Sequence, residues 1–232
     1  MKYWKKLSHN QQQDYIQSAL VENVNFSTNH SLGYPASKLD DRVFSQDAPF
    51  LKDTLLLQVF VANPNHIGCH TLGTSEKAFK GTQQIEREVL NMIAVDIFKC
   101  DTDFDGYIAT GGTEANLQAL WMYRNYFINE YGATNNEIAI VASEDTHYSI
   151  AKGANFLHLD WLKINVCTEN RSIDTEHLGK IVTEATTNGK KYFIIVANMG
   201  TTMFGSIDDP KTYSLPMVTA KSNNKMKDSK KK

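Results

Sequence analysis

Three short stretches of this chain place glycine, hydroxyl, imidazole and carboxylate groups where short apolar runs end. Gly111-Gly112-Thr113 follows the β-rich run Tyr107 to Thr110 and precedes a 3.6-residue apolar pattern through Leu117, Leu120 and Trp121. The stretch SEDTHYS, Ser143 to Ser149, follows a run over 138–142 and carries His147. Asn198-Met199-Gly200-Thr201-Thr202 follows a run over 192–197 and leads into Asp208 and Asp209. Glycines before a helix permit a sharp turn and leave room for a ligand. The amides of Thr113, Glu114 and Ala115 precede the first intrahelical acceptor, so with the helix dipole and the Thr113 hydroxyl they form a seat for phosphate. The His147 ring can lie flat on an aromatic ligand, and the hydroxyls after the third run add donors across the sheet. Together the three suit a flat, phosphorylated, heteroaromatic cofactor. Singly, each has a plainer reading: Thr113 as an ordinary cap, His147 as a cap or surface residue, Gly-Thr-Thr as a turn.

The elements that must position these groups alternate in type. A strand over 107–110 leads to a helix over 113–131, a strand over 138–142 to a short helix near 146–156, and a weak strand over 162–166 to a helix over 174–188. A strand over 192–197 follows. Such alternation predicts an α/β domain with a mostly parallel sheet, in which ligands bind outside the carboxyl ends of the strands. Thr113, His147 and Thr202 are then expected at one rim. Before this region, Ile85, Val89, Met92, Ile93 and Ile97 share one face and predict an amphipathic helix over 83–98.

The first 80 residues read differently. Ser8 caps a polar helix to Val24. Residues 25–80 hold three of the five prolines and read as a loop-rich arm, with one helix from Ala48 or Pro49 to Val61. His66, Cys69 and His70 resemble a metal cluster, but no distant Cys or His pair stands at ligand spacing, and Gly68 and Pro64 disfavour the helix that would aim both imidazoles. No metal site is expected. The organisation is therefore an arm over 1–80, a sheet domain over 81–210 and a Lys-rich tail over 211–232, expected to be disordered.

Composition narrows the function classes. The chain has 232 residues, 41% of them hydrophobic, enough for one large α/β domain or two small ones. Its net charge is −2, and the seven Lys and one Asp of 211–232 leave the remainder at −8. An acidic body argues against a nucleic-acid groove. The three cysteines are scattered, which fits reduced thiols rather than a disulfide framework. The N-terminal MKYWKKLSHNQQQ lacks the apolar stretch of a secretory signal, and no apolar run is long enough to span a bilayer. A soluble, cytoplasmic protein is expected.

GYIATGGTEAN, SEDTHYSIAKGANFL and FIIVANMGTTMFGSIDD, in that order, resemble the successive signatures of pyridoxal-phosphate-dependent group II amino-acid decarboxylases. The likeness runs from about Gly33 to Asp209 and is nearest to the histidine and serine decarboxylase branch, which also shows a stretch like Leu32-Gly33-Tyr34-Pro35. It implies an aspartate aminotransferase-like large domain, incomplete here, with pyridoxal 5'-phosphate as cofactor. It implies that Gly112 and Thr113 hold the cofactor phosphate, that His147 stacks on the pyridine ring as the catalytic histidine, and that Thr202 and Asp208 support the cofactor. The activity implied is loss of the α-carboxylate from an amino acid bound as an imine, in a homodimer that the arm helps to build. Nucleic acid and membrane are not expected as partners.

The resemblance also implies two groups that have no counterpart here. The family follows Gly-Thr-Thr with a His-Val-Asp-Ala-like stretch, whose Asp pairs with the pyridine nitrogen, and then with the Schiff-base Lys. After Pro210 no His-x-Asp occurs. Lys152 is the nearest substitute, but the family has a Lys there that it does not use for the imine. The expectation is the N-terminal part of a decarboxylase, inactive alone and poorly stable because apolar faces stay uncovered. Two other readings stand beside it: another enzyme of the same fold, or a non-catalytic subunit that binds an intact homologue. The amino acid acted on is not identified by these residues.

Overall fold

The structure, a computed structural model, describes residues 6–23, 79–101 and 103–214, in two compact units, 1–108 and 109–232, each taken by itself. The helix expected near 48–61, the Leu32–Pro35 stretch, the 66–70 cluster and the tail beyond 214 lie outside the described residues.

In the first unit, Ser8 and Gln11 form a reciprocal capping box that starts α1, His9–Glu22. Asn23 ends it and turns its side-chain oxygen to the amides of Gly81 (2.8 Å) and Thr82 (3.2 Å). It thereby satisfies two of the orphan donors at the start of α2, Lys80–Asn91. α2 runs on into a π-helical turn, Met92–Ile97, closed by an i→i−5 bond from the Phe98 amide to the Ile93 carbonyl at 3.0 Å. The helix expected over 83–98 is thus present and begins three residues earlier.

The strand expected over 107–110 does not form. Its residues have the propensity, but a strand is made by a neighbour's ladder, and here the amides go to side chains. Ile108 N–H donates to Glu86 Oε1 at 2.7 Å, and Thr110 N–H to Glu114 Oε2 at 2.9 Å.

The second unit is built on β1, Ile138–Ser143, which is buried along its whole length. It pairs in parallel with β2, Asp160–Ile164, on one side and β3, Tyr192–Val196, on the other. α3, Gly112–Tyr131, and α4, Tyr148–Leu157, cover one face, where Leu120, Ile150, Ala154 and Leu157 pack on Ile138, Ile140 and Ala142. α5, Thr175–Thr187, covers the other, with Leu178 and Val182 against Val141 and Ile164. Parallel crossovers keep one hand, so stepping from β1 out to β2 and then back across β1 to β3 sends α4 and α5 to opposite faces. This is the α/β architecture with a parallel sheet that the alternation predicts.

β3 runs into a tight hairpin, in which Met199 bridges Ile207 and Gly200 has φ +102°. That conformation is one only glycine adopts freely. The chain then forms a 3₁₀ turn, Pro210–Tyr213, whose Tyr213 is 1% exposed in the core. Lys211 to Tyr213 therefore belong to the packed domain, because an aromatic ring there has a core to enter.

Candidate active site

The carboxyl end of β1 is where the three stretches meet. The loop from Ser143 to His147 leaves β1, α4 begins at Tyr148, and α3 packs against α4. Gly153 makes that packing close: a Cβ on it would come within 2.5 Å of Leu120 Cδ1 and 3.1 Å of Leu117 Cδ2. The starts of the two helices are joined by polar contacts as well. The Thr113 hydroxyl lies 3.3 Å from the Tyr148 hydroxyl, and Asn116 Nδ2 donates to the buried Ser149 hydroxyl at 2.8 Å.

His147 is the N-cap of α4. Its Nδ1 accepts the Ser149 amide at 3.3 Å and lies 2.8 Å from the Ser149 hydroxyl. Because Nδ1 already accepts the Ser149 amide it carries no hydrogen of its own, so the Ser149 hydroxyl donates to it. This network assigns the imidazole proton to Nε2, on the side of the ring away from the helix. The Tyr148 ring sits 4.2 Å from the imidazole, centroid to centroid, tilted by 42°.

The third stretch enters through Asn198. Its side chain donates to Ser143 Oγ (3.0 Å) and Asp208 Oδ2 (2.9 Å) and accepts from Thr146 Oγ1 (2.9 Å). Asp208, 4% exposed, also accepts the Asn198 amide at 2.8 Å and the Tyr213 hydroxyl at 3.1 Å, all on Oδ2. Burial, reinforced by the Asp208 charge and hydrogen bond, pushes the Tyr213 phenol above its usual pKa, so it stays a donor. The rim is braced from the turn after β2. Arg171 grips Asp145 with both arms of its guanidinium, Nε to Oδ2 at 2.8 Å, and lies 4.3 Å over the Phe204 ring of the hairpin. The hydrogen bond to Asp145 raises the Arg171 pKa further.

Of the residues singled out in the sequence, Gly112, Thr113 and His147 therefore gather at the adjoining helix starts, and Asp208 reaches the same loop through Asn198 and Thr146. Thr202 is exposed on the hairpin, and no hydrogen bond joins it to the other four among the described residues; the hydroxyl turned inward is that of Thr201, on Ser206 at 2.8 Å. The amide of Ala115 is not open, since it donates to the Gly111 carbonyl at 3.1 Å. The first-turn amides ahead of that bond are those of residues 112–114. Gly111 is extended, with φ 180°, so the backbone there does not require glycine. What both glycines provide is space: a Cβ on either would meet nothing within 4 Å.

Asn198, Ser143, Thr146, Ser149 and Asn116 do not stand out in the sequence as members of this site. A signal for two of them existed, since Ser143 closes an otherwise apolar strand and Asn198 directly follows another.

The second unit, an α/β domain with its polar groups at the carboxyl ends of parallel strands, has the aspartate aminotransferase-like fold. The L-methionine decarboxylase of Streptomyces sp.590 shares that fold, with a TM-score of 0.58 and 18% identity, over 94% of this chain and 48% of that one. The chain belongs to the pyridoxal-dependent decarboxylase family, whose conserved domain matches residues 65–226. It is 47% identical over 215 residues to the tryptophan decarboxylase of Clostridium sporogenes (strain ATCC 15579), covering 92% of this chain and 52% of the relative. It is 30% identical over 201 residues to the histidine decarboxylase of Solanum lycopersicum, covering 86% and 43%. The chain thus spans about half the length of the curated relatives it matches. The family match continues past Asp209 to residue 226, so the likeness extends into a stretch that carries none of the motifs.

The residues present fit the family's cofactor, pyridoxal 5'-phosphate. Open backbone at Gly111 and Gly112 and the Thr113 hydroxyl suit a phosphate, the oriented imidazole caps the neighbouring helix, and the fixed carboxylate is tied to the loop before it through Asn198. Glu114, acidic in the same helical turn, is drawn back onto the Thr110 amide and hydroxyl. Among the described residues there is no cluster able to hold a metal ion and no helix long and apolar enough to cross a membrane.

Proposed function

We propose that this chain is the cofactor-binding portion of an L-amino-acid decarboxylase. Gly112 and Thr113 hold the phosphate of pyridoxal 5'-phosphate, His147 lies on its ring, and Thr202 and Asp208 support it from the third stretch. The observation that carries this reading is the joining of the α3 and α4 starts, Thr113 to Tyr148 and Asn116 through Ser149 to His147. That joining supports reading a phosphate seat at the start of α3 together with an oriented imidazole at the start of α4.

The bound cofactor supplies the electron sink that lets an α-carboxylate depart as carbon dioxide. The protein's own contribution is orientation. Backbone amides and the Thr113 hydroxyl donate to phosphate oxygens, the capped His147 keeps its ring in one plane and its Nε2 proton outward, and Asp208 keeps a buried negative charge in place. The higher identity to a tryptophan decarboxylase than to a histidine decarboxylase favours an aromatic, indole-bearing amino acid as substrate. The working enzyme is a cytoplasmic homodimer. This stretch of chain alone, with no His-x-Asp after Pro210, binds cofactor without turning substrate over.

A titration of the purified chain with pyridoxal 5'-phosphate, followed by absorbance and then by borohydride reduction, tests the reading. Saturable binding is expected, displaced by inorganic phosphate and weakened by Thr113→Val, with no reduced adduct confined to one lysine and no carbon dioxide from L-tryptophan. Absence of binding sinks the cofactor assignment. A stoichiometric adduct on Lys152 shows that the covalent anchor lies within this chain.

A further inference from the structure

We propose that Asn198 is a positioning residue of this site, the tie that fixes the loop bearing His147 relative to the hairpin bearing Thr202 and Asp208; the inference rests on the cofactor reading above. The two segments leave adjacent parallel strands, β1 and β3, and strand pairing ends at Ala142 and Val196. Beyond that point the ladder no longer sets their separation. Asn198 takes over through its side chain, with Ser143 and Thr146 on one side and Asp208 on the other, at 3.0, 2.9 and 2.9 Å.

Its backbone completes the tie. The amide donates to Asp208 Oδ2 at 2.8 Å and the carbonyl accepts the Asp208 amide at 2.8 Å. A planar amide is the side chain for this place, because it donates to a carboxylate and a hydroxyl with one end while accepting a hydroxyl with the other. Alanine makes none of the three side-chain bonds. Aspartate keeps the shape but sets a second carboxylate against Asp208 and loses the donor. The titratable groups around the tie are Asp208 and Tyr213 on the hairpin side and Glu144, Asp145 and His147 on the loop side. Glu144 is bonded to the Val166 amide, Asp145 to Arg171, and His147 to Ser149. A proton taken up between residue 198 and Asp208 is therefore the one that restores the tie in Asn198→Asp.

Two measurements on the whole 232-residue chain test this. The first is amide hydrogen exchange without cofactor. Asn198→Ala is expected to lose protection in the two segments 144–149 and 199–209 together, with α5 unchanged. Unchanged protection in either segment overturns the proposal, as does a loss that spreads to α5.

The second is cofactor affinity relative to the unaltered chain at the same pH. Near pH 8 both variants are expected to bind about tenfold more weakly; near pH 5 Asn198→Asp recovers to within about twofold while Asn198→Ala does not. Identical pH profiles for the two variants overturn the proposal, since a purely structural defect gives no acid rescue. If the unaltered chain takes up no pyridoxal 5'-phosphate, the cofactor reading fails, and the exchange measurement alone decides the role of Asn198 as a tie.

Discussion

His147 Nδ1 accepts the amide of Ser149, so the imidazole proposed to lie on the cofactor ring is also the N-cap of α4. The two roles separate by substitution. Asparagine is among the best N-caps and has no aromatic ring. His147→Asn is expected to keep the urea midpoint while weakening pyridoxal 5'-phosphate binding about 5- to 10-fold, the size of one lost ring contact. His147→Ala should lose the same affinity and also about 1 kcal/mol of stability. Equal unfolding midpoints for Asn and Ala would show that the cap carries no stability.

Gly153 tests whether helix packing sets the site. A side chain there drives into Leu120 and Leu117, which lie on α3, the helix that carries Thr113 in its first turn. Gly153→Val is expected to cost about 1–3 kcal/mol by overpacking and to weaken cofactor binding by separating the two helix starts. Gly179, on the other face of the sheet, has open space where a Cβ would stand, with nothing within 4 Å, so Gly179→Ala serves as the control and should leave affinity unchanged.

Tyr213 donates to a buried carboxylate, a bond of the stronger kind. Tyr213→Phe keeps the ring in the core and removes only that donor. Chemical unfolding is expected to show a loss of about 1.5–3 kcal/mol. A loss below about 0.5 kcal/mol would mean that Asp208 is adequately held by Asn198 alone.

Glu137, at the entry to β1, pairs with Lys191 at the entry to β3 and accepts the Thr134 amide at 2.9 Å. The Lys191 hydrogen bond, then the Thr134 amide, lower the Glu137 pKa from 4.5 to about 2. A depressed folded-state pKa contributes stability that is fully present above the unfolded value and is lost as pH falls through the folded one. The Lys191 pKa is raised, by the same hydrogen bond first, so its share is fully present below its unfolded value and is lost as pH rises through the folded one. Glu137→Gln should therefore flatten the fall in urea midpoint between pH 4.5 and about 2, leaving the other carboxylates' slope. An unchanged slope across that window would show the pair to be idle in solution.

Much of the plan was legible in the residues. β1 and β3 are apolar runs, α5 has an apolar stripe capped by Asp174, and each strand hands over to polar residues where its pairing stops. Period and composition act locally, so a local reading finds them. The run 107–110 shows the limit: its side chains favour a strand, but Glu86 and Glu114 take its amides and no ladder forms. Thr202 shows another. Adjacent hydroxyls in one turn are equivalent as sequence, and only the φ +102° at Gly200 and the hairpin closure turn Thr201 inward onto Ser206 and leave Thr202 exposed.

By itself the sequence determined most of the elements, their order and the family, because short-range patterning and ordered motifs are properties of neighbouring residues. Tertiary structure decided which polar groups share a site. Asn198 and Thr146, or Asn116 and Ser149, lie 52 and 33 positions apart and carry no mutual signal along the chain. They meet because parallel strands bring their carboxyl ends to one edge, and because hydrogen-bond geometry at about 3 Å admits only the groups that the packed helices deliver there.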